Sequence, residues 1–498
     1  MKTLAYALII GFIILALLTF YFGIKAKGRR IFIGFIYVFC FVYTIGVSIF
    51  YANYITTESP DESAHIGYIY HLEQTGEIIP KYEDMHIFAS MIMKWSELPN
   101  YEYQEATVNY LCHPPLYYHI MRLAGGFAPT ESPVVVTIDK LHLRYFSLII
   151  ASIGLLLTLY IGYSRLPKSK PWAHLLYAVT VTSIPMMSYE MCAVTNDSLS
   201  IVTAAICILG LLRFTEGKRD VLTYILIALG ISGSLLTKLT AAMLCIIMAL
   251  IVLVVTIIKE RSIKNAFKIG FLFSLPIYAV AVAYYVIIYM RYGTFQPSLE
   301  LIAGSEYFQQ TIYYVAESER TVYTFSEYIG YYFERFFLSW SGIESISRYL
   351  KSYTYSLSAL PYELLWVVPV MFVLPIIRKK AGGLTLPTVA GYVAIIVTFL
   401  YQFKSAYGSY LTRGYLGGFA SRYYLPFVSI FGLGLVLVLK GMLIDNGFDS
   451  ETEVLSIKDD FNTFRKNLLF NQLIYAIGLG YAFVLFYGSF PFFLLHFA

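Results

Sequence analysis

Charged residues are scarce in this sequence. Asp, Glu, Lys and Arg make up 13% of its 498 residues, against about 25% in an ordinary globular protein. Hydrophobic residues make up 58% and aromatic residues 17%, with 46 tyrosines among them. This composition excludes a water-soluble domain. Its long apolar runs, and tyrosines that suit the two membrane interfaces, predict an all-α polytopic membrane protein.

Three further absences narrow the class. The sequence has no basic stretch interleaved with aromatic residues, so we expect no nucleic-acid partner. Its five cysteines follow no spacing typical of a metal site. No internal repeat divides the chain into two matching halves, whereas many transporters are built from such repeats.

The apolar runs predict about twelve transmembrane segments. Their approximate limits are 4–24, 31–54, 142–163, 172–192, 198–214, 221–237, 239–258, 269–290, 361–377, 385–402, 425–444 and 468–490. Short connections rich in Lys and Arg mark the cytoplasmic side of a membrane. Four connections of this kind fall on one side if both termini are outside; they are 25–30, 165–170, 259–268 and 378–380.

This topology divides the chain into five parts. They are two N-terminal spans (1–54), a large extracytoplasmic loop with interfacial helices (55–141), a transmembrane bundle (142–290), an extracytoplasmic loop with amphipathic helices (291–360) and the C-terminal spans (361–498). The last part contains a mobile outer loop (403–424) and a cytoplasmic linker (445–467).

The first outer loop begins with a helix-start signal. Ser59 and Glu62 form a capping-box pattern, and Pro60 falls at the first helical position, where its missing N–H costs nothing. We therefore predict a helix that runs from here to about Gln74. In this pattern Glu62 reaches back to the Ser59 backbone.

Asp61 is free of that capping role. It lies in the first helical turn, where the helix dipole favours an ionised carboxylate, and His65 follows four residues later on the same face. An ionised carboxylate beside a histidine is typical of a general base. The same pattern also fits an ordinary helix-start acid and a surface histidine.

Later in this loop, His113 precedes two prolines and the apolar, tyrosine-containing run that includes Tyr117. Prolines at this place start a helix, and its apolar face suits a membrane interface. The stretch is either such an interfacial helix or the wall of a pocket that contains His113.

Two polar positions interrupt the apolar runs on the outer side. Asn196 can cap the helix that follows, whereas Asp197 remains either a cap or a substrate contact. Lys238 stands between two apolar runs, where a lysine is costly unless it reaches the interface or has a partner. Its alternatives are therefore a snorkelling side chain and a ligand for an anion such as phosphate.

The third outer loop carries bases and no acid. Arg413 and Arg422 invite an anion, and arginine suits a bidentate contact with phosphate. Tyr423 follows Arg422 where the chain re-enters the membrane. Glycines in the loop, at 408, 414, 417 and 418, predict a mobile lid.

Taken in order, five short motifs resemble those of the GT-C superfamily of membrane glycosyltransferases. The motifs are Pro60-Asp61-Glu62-x-x-His65, His113-Pro114-Pro115-Leu116-Tyr117-Tyr118, Asn196-Asp197-Ser198-Leu199, Leu236-Thr237-Lys238-Leu239-Thr240 and Arg422-Tyr423-Tyr424-Leu425-Pro426. The chain is most similar to bacterial members that open with Pro-Asp-Glu-x-x-His and are sometimes filed as a domain of unknown function. It is more distantly similar to protein O-mannosyltransferases and to the aminoarabinose transferase of lipid A.

The resemblance implies a GT-C-like bundle, polyprenyl-phosphate sugars as donors and an active site on the extracytoplasmic face of a bacterial plasma membrane. Asp61 matches the catalytic aspartate, and Lys238 and Arg422 match bases that contact the lipid phosphate. We expect Arg413 and Tyr423 near that phosphate. We expect the other substrate contacts at Glu62, His65, His113, Tyr117 and Asp197.

The sequence therefore predicts an inverting glycosyltransferase that uses Asp61 as general base. Its acceptor would be a hydroxyl of a cell-envelope polysaccharide, a lipid or a protein. The alternatives are a transporter or flippase of lipid-linked sugars and a non-catalytic partner in envelope assembly. We expect no metal ligand set, although the acidic residues leave a divalent cation open.

Overall fold

The computed structural model describes residues 1–54, 59, 61–89, 91–93, 102–129, 136–341, 356–444 and 461–496. Nine helices in these residues are long and apolar enough to cross a membrane, and two shorter apolar helices accompany them. The prediction of an all-α polytopic membrane protein is confirmed.

The helices are numbered here in chain order. They are α1 (Lys2–Ile24), α2 (Arg29–Tyr54), α3 (Glu62–Thr75), α4 (Leu116–Met121), α5 (Lys140–Arg165), α6 (Pro171–Thr182), α7 (Pro185–Cys192), α8 (Asp197–Thr215), α9 (Val221–Leu235), α10 (Leu239–Glu260), α11 (Ile263–Ala266), α12 (Leu275–Tyr292), α13 (Leu299–Ala303), α14 (Ser305–Gln309), α15 (Phe325–Trp340), α16 (Ser356–Val367), α17 (Pro375–Ala381), α18 (Thr385–Arg413), α19 (Val428–Met442), α20 (Phe461–Tyr487) and α21 (Phe490–His496). Short 3-10 helices lie at Tyr82–Asp84, Arg122–Ala124, Ile269–Ser274, Glu317–Glu319, Val368–Val373, Gly382–Leu384 and Ser421–Phe427.

Nine of the twelve predicted segments coincide with the long apolar helices, and the segments 221–237 and 361–377 coincide with the two shorter ones. The remaining segment, 172–192, is broken between α6 and α7. Pro185 opens α7, and Ile184 before it is extended, with φ −83° and ψ 114°. A residue that precedes proline avoids the helical conformation, so the chain changes direction here.

Local capping signals start other helices. The Asp139 side chain accepts a hydrogen bond from the His142 N–H at 3.1 Å and begins α5. Thr324 and Glu327 form a reciprocal capping box at the start of α15. Both are contacts of the kind that satisfies the unpaired N–H groups of a first helical turn.

The first outer loop contains strands as well as helices, which differs from the expectation of interfacial helices alone. Its strands are β1 (His86–Ala89), β2 (Met91–Met93), β3 (Glu102–Val108), β4 (Phe127–Pro129) and β5 (Val136–Ile138). Strand β1 pairs antiparallel with β3, while β5 pairs parallel with β2 and antiparallel with β4. Short β-branched and aromatic runs favour strands over helices.

Helix α3 packs closely against strand β1 of the two-stranded sheet that β1 forms with β3. A Cβ atom on Gly67 would lie 2.6 Å from the His86 carbonyl oxygen of β1, so only glycine permits this approach. The helix begins at Glu62 and ends at Thr75, close to the predicted end at Gln74, while the predicted first position at Pro60 lies outside the described residues.

The third outer loop is much shorter than predicted. Helix α18 continues through Gly408 as far as Arg413, so residues 414–420 alone separate it from the next 3-10 helix. A single glycine costs a helix only about 1 kcal/mol, and Tyr410 near the helix end stacks on Tyr328 of α15 with ring centroids 4.8 Å apart. The helix ends at Gly414, whose φ of 66° suits glycine. The prediction of a mobile lid over 403–424 is therefore wrong for residues 403–413.

Glu62 joins the first loop to the transmembrane bundle. Its side chain is fully buried and receives hydrogen bonds from Arg144 of α5, Nε to Oε1 at 2.8 Å and Nη2 to Oε2 at 2.7 Å. Lys140 Nζ lies 3.2 Å from the same carboxylate. Arg144 also donates to the Ala52 carbonyl near the end of α2 at 3.0 Å.

Two backbone N–H groups complete the surroundings of this carboxylate. The Ser59 N–H donates at 2.9 Å, which is the predicted capping contact, and the Val194 N–H, just after α7, donates at 3.1 Å. Burial raises the pKa of Glu62, but the Arg144 and Lys140 charges outweigh it and hold that pKa well below its usual range. One ionised carboxylate thus connects α2, α3, α5 and the segment after α7.

We predict that Glu62→Gln lowers the free energy of unfolding by about 3 kcal/mol, because it leaves two buried cations without their carboxylate. Thermal unfolding of the purified protein in lipid nanodiscs measures the change. Glu73→Gln, an exposed position on the same helix, is the matched control and should leave the unfolding temperature unchanged. Equal unfolding temperatures for the two variants would contradict this account of Glu62.

Candidate active site

Five charged side chains from distant parts of the chain meet at one end of the helix bundle. Asp61 directly precedes α3, Glu190 lies in α7, Asp197 opens α8, Lys238 directly precedes α10, and Arg422 lies in the 3-10 helix Ser421–Phe427. We call these five side chains the charge cluster.

Arg422 is the hub of the charge cluster. Its Nη2 donates to Oδ2 of Asp61, its Nη1 lies 3.7 Å from Oε1 of Glu190, and its Nε lies 3.8 Å from Oδ2 of Asp197. The Arg422 side chain is 12% exposed. One guanidinium therefore faces three carboxylates in a largely buried place.

Lys238 and Asp197 form the second ion pair of the cluster. Lys238 Nζ donates to both carboxylate oxygens, at 2.6 and 2.7 Å, and lies 4.7 Å from the centre of the Tyr423 ring. Burial lowers the pKa of Lys238, an effect that Asp197 opposes.

Asn196 occupies the predicted cap position of α8, but its side chain makes no capping bond and donates instead to the Thr237 carbonyl at 3.0 Å. That contact fixes the backbone beside Lys238.

Asp61 is held by its backbone as well as by its partners. Its φ of 65° is a left-handed conformation that few residues other than glycine adopt, although Asp and Asn tolerate it. Tyr110 donates to Oδ1 at 2.7 Å while Arg422 binds Oδ2. Burial raises the pKa of Asp61, but Arg422 and the Tyr110 hydrogen bond outweigh it and keep that pKa well below its usual range. The side chain remains 28% exposed, so an ionised carboxylate reaches the open side of the cluster.

Two histidines line the side of the cluster next to Asp61. The rings of His65 and His113 stack with centroids 6.2 Å apart, and Nδ1 of His65 lies 2.9 Å from the Tyr118 hydroxyl. Burial and the neighbouring His113 lower the pKa of His65 well below its ordinary value, and burial and Lys238 lower the pKa of His113 to about 4. Both imidazoles are therefore neutral near pH 7.

The segment around His113 is packed into the fold and is not freely exposed. The His113 carbonyl accepts hydrogen bonds from Tyr68 at 2.9 Å and Tyr82 at 3.2 Å. Tyr117 is fully buried below it, with its hydroxyl 3.1 Å from the Ser147 hydroxyl of α5. Tyr117 thus packs behind the His113 segment, and its hydroxyl points to α5 and not to the charge cluster.

Glu62 and Arg413, which the sequence also assigned to substrate, lie elsewhere. The Glu62 carboxylate is saturated by the contacts described above and is fully buried. Arg413 ends α18, pairs with Glu300 at 2.7 Å and lies over the Phe308 ring at 4.6 Å. The structure gives both residues other partners and leaves them outside the charge cluster. Tyr423, in contrast, lies beneath both cations, with Arg422 5.8 Å from the centre of its ring.

The charges of the cluster are balanced differently from the expectation. The motifs predicted a carboxylate on one side and separate cations on the other, but every cation is already paired and the carboxylates outnumber the cations by one. The sequence analysis also missed Tyr110, because it is an isolated tyrosine 49 residues from Asp61 and belongs to none of the motifs. Within the described residues, no group of three or more His, Cys, Asp and Glu side chains has an arrangement that could hold a metal ion.

A family model described as a predicted membrane protein, DUF2142, matches residues 56–431. The chain belongs to the DUF2142 family. This membership agrees with the resemblance to members filed as a domain of unknown function. The matched residues include the whole charge cluster of this DUF2142 member. A comparison with curated proteins gives no match.

Two crystal structures of ArnT from Cupriavidus metallidurans are similar to this DUF2142 member. The apo structure is 13% identical, with a TM-score of 0.42, over 90% of this chain and 76% of the other. The structure bound to undecaprenyl phosphate is 15% identical, with a TM-score of 0.43, over 91% of this chain and 77% of the other.

We predict that Lys238→Met destabilises the protein by about 3 kcal/mol, because it leaves the buried Asp197 without its cation. The double variant Asp197→Asn/Lys238→Met removes both charges and should recover most of this loss. Thermal unfolding of the single and double variants in nanodiscs measures the two effects. A double variant that is no more stable than Lys238→Met would contradict the pairing.

Proposed function

We propose that this protein is a membrane glycosyltransferase that moves a sugar from a polyprenyl-phosphate donor to a hydroxyl group of a cell-envelope acceptor. One observation carries the proposal. An ionised, partly exposed carboxylate (Asp61) and two cations (Lys238 and Arg422) share a single site at one end of the helix bundle. A base for the acceptor and an anion site for the leaving phosphate are the two parts that this transfer needs.

Asp61 would act as the general base. The acceptor hydroxyl loses its proton to the carboxylate as its oxygen attacks the sugar C1, and the bond from C1 to the phosphate oxygen breaks on the opposite face. The configuration at C1 is therefore inverted. Because the Asp61 pKa is held below its usual range, the base is ionised across the neutral pH range.

Arg422 and Lys238 would receive the departing phosphate. Arginine binds phosphate oxygens in a bidentate manner, and lysine supplies a compact charge beside it. Charge stabilisation of this kind is commonly the largest catalytic contribution. The aromatic face of Tyr423 supports both cations.

Donor binding would also release the base. In the structure, Arg422 and Tyr110 each donate a hydrogen bond to one oxygen of Asp61. A phosphate that takes the Arg422 guanidinium competes with Asp61 for it, and the freed Oδ2 then becomes available to the acceptor. This exchange favours binding of the donor before proton transfer.

We infer from the positions of the basic connections that the site faces the extracytoplasmic side, and from the resemblance to GT-C enzymes that the membrane is a bacterial plasma membrane. His65 and His113, both neutral, would contact the sugar or the acceptor. Among acceptors, a polysaccharide, a lipid or a protein would each supply the hydroxyl. The reaction as written requires no metal.

The test uses purified protein in lipid, a panel of radiolabelled polyprenyl-phosphate sugars, and cell-envelope extract as the source of acceptors. We expect the wild type to release polyprenyl phosphate from one of these donors. Asp61→Asn should reduce release by at least about a hundredfold, because a positioned base commonly contributes this much. Asparagine tolerates the left-handed backbone at this position, so the variant should fold. It should bind the donor lipid at least as tightly as the wild type, because the phosphate no longer competes with a carboxylate for Arg422.

Glu73→Gln is the control and should transfer at the wild-type rate. Undiminished release by Asp61→Asn would remove Asp61 from the mechanism. Donor lipid bound by the wild type without release from any donor would favour a transporter or a non-catalytic partner.

A further inference from the structure

Glu190 has no place in the reaction described so far, yet it lies within the charge cluster. Its side chain is 2% exposed, and its Oε1 lies 3.7 Å from Arg422. Its Oε2 is buried and has no hydrogen-bond partner among the described residues. Nε of Arg422 is likewise buried and without a hydrogen bond. A buried polar atom without a hydrogen bond is costly, so a ligand that forms a hydrogen bond with Oε2 of Glu190 would be stabilised at this place.

The charge balance of the cluster determines in which protonation state Glu190 can accept a phosphate. With all five groups ionised, carboxylates already outnumber cations. The polyprenyl phosphate released by the transfer is a monoester with a charge between about −1.5 and −2 at pH 7, and it would then lie in a site of net negative charge. Like charges in a buried site raise the cost of ionisation until one group takes a proton.

Glu190 is the carboxyl that is least compensated in the cluster. Asp197 has two short bonds from Lys238, and Asp61 has Arg422 and Tyr110. Among the described residues, Glu190 has one cation within 4 Å, Arg422 at 3.7 Å, and its Oε2 has no hydrogen bond. A proton shared among the three carboxyls therefore belongs on Glu190, where the unpartnered Oε2 becomes an O–H donor.

We propose that Glu190 is a further phosphate-binding residue, which is protonated in the complex and donates a hydrogen bond from Oε2 to a phosphate oxygen of the lipid. The inference rests on the proposed function, since it takes as the ligand the phosphate of the donor lipid, which leaves as polyprenyl phosphate. Glu190 keeps its proton throughout, so that no covalent step is added. The phosphate would be held by two charges and one neutral donor, and the proton removes the excess negative charge.

Other titratable groups around α7 are accounted for. Glu190 faces Asp61, Asp197, Lys238 and Arg422. On α5, Arg144 is engaged by Glu62. From α2, Tyr51 is a buried phenol. Helix α15 also packs against α7; its Glu327 and Glu334 are exposed, and its Arg335 lies over the Tyr331 ring. Its own helix adds Tyr189 and Cys192, both buried.

The test measures the affinity of the purified protein in nanodiscs for radiolabelled polyprenyl phosphate between about pH 5 and about pH 9, a range wide enough to include a raised carboxyl pKa. Wild type, Glu190→Gln and Glu190→Ala are compared at each pH. The phosphate itself titrates near pH 6, but it does so for every variant, so the ratio of two affinities isolates Glu190.

We expect the wild type to lose affinity relative to Glu190→Gln by about tenfold across this range, since one pKa unit corresponds to a factor of ten. Glutamine is a permanent neutral donor. At low pH the affinities of Glu190→Gln and the wild type should therefore be similar, and at high pH Glu190→Gln should bind more tightly. Glu190→Ala lacks the donor and should bind about tenfold more weakly than Glu190→Gln at every pH. Glu73→Gln, an exposed control, should follow the wild type.

A constant ratio of the wild-type and Glu190→Gln affinities would overturn the proposal, and so would equal affinities of Glu190→Gln and Glu190→Ala. If Glu190→Gln does not fold, Glu190→Asp replaces it. The shorter side chain withdraws the carboxyl, so its affinity near pH 6 should fall about tenfold, and a wild-type profile would count against us. A wild type that binds no polyprenyl phosphate at any pH would overturn the proposed function as well, whereas binding without the Glu190 effect overturns this inference alone.

Discussion

The site depends on the buried ion pair between Glu62 and Arg144. Glu62 is the first residue of α3, and its carboxylate connects the outer loop to α2, α5 and the segment after α7. Asp61 is its neighbour in the chain. Directly before this anchored residue, Asp61 has a left-handed backbone, and its carboxylate contacts Arg422. Two adjacent acids thus differ in role: Glu62 is a buried structural anchor, whereas Asp61 is partly exposed.

Sequence reasoning identified what depends on local chemistry and missed what depends on distance. The apolar lengths predicted the spans, and the capping pattern predicted the contact from Glu62 to the Ser59 N–H, because both are set within a few residues. The Arg144 partner is 82 residues away and Arg422 is 361 residues from Asp61. No short pattern contains those separations, so sequence reasoning assigns Glu62 to the substrate and places residues 403–413, the end of α18, in a mobile loop.

The same limit explains the error about charge. Lys238 and Arg422 each stand in a sequence neighbourhood without acids, so both were interpreted as free cations that wait for an anion. In the fold, Lys238 forms an ion pair with Asp197, which lies 41 residues earlier in the sequence. A lysine at the end of an apolar helix needs such a partner, since its desolvation would otherwise be too costly. An anion that binds either cation would therefore have to displace a carboxylate that is already paired with it.

Exchange of partners is the physical consequence of a cluster with more carboxylates than cations. Each cation is already stabilised, so a phosphate gains only the difference between its own contacts and those it displaces. That difference favours phosphate at Arg422, where Asp61 is partly exposed and can return to water, more than at Lys238, where Asp197 is buried on every side. The ligand-free pairs would thus determine the order of events: phosphate at Arg422, release of Asp61, and then proton transfer from the acceptor.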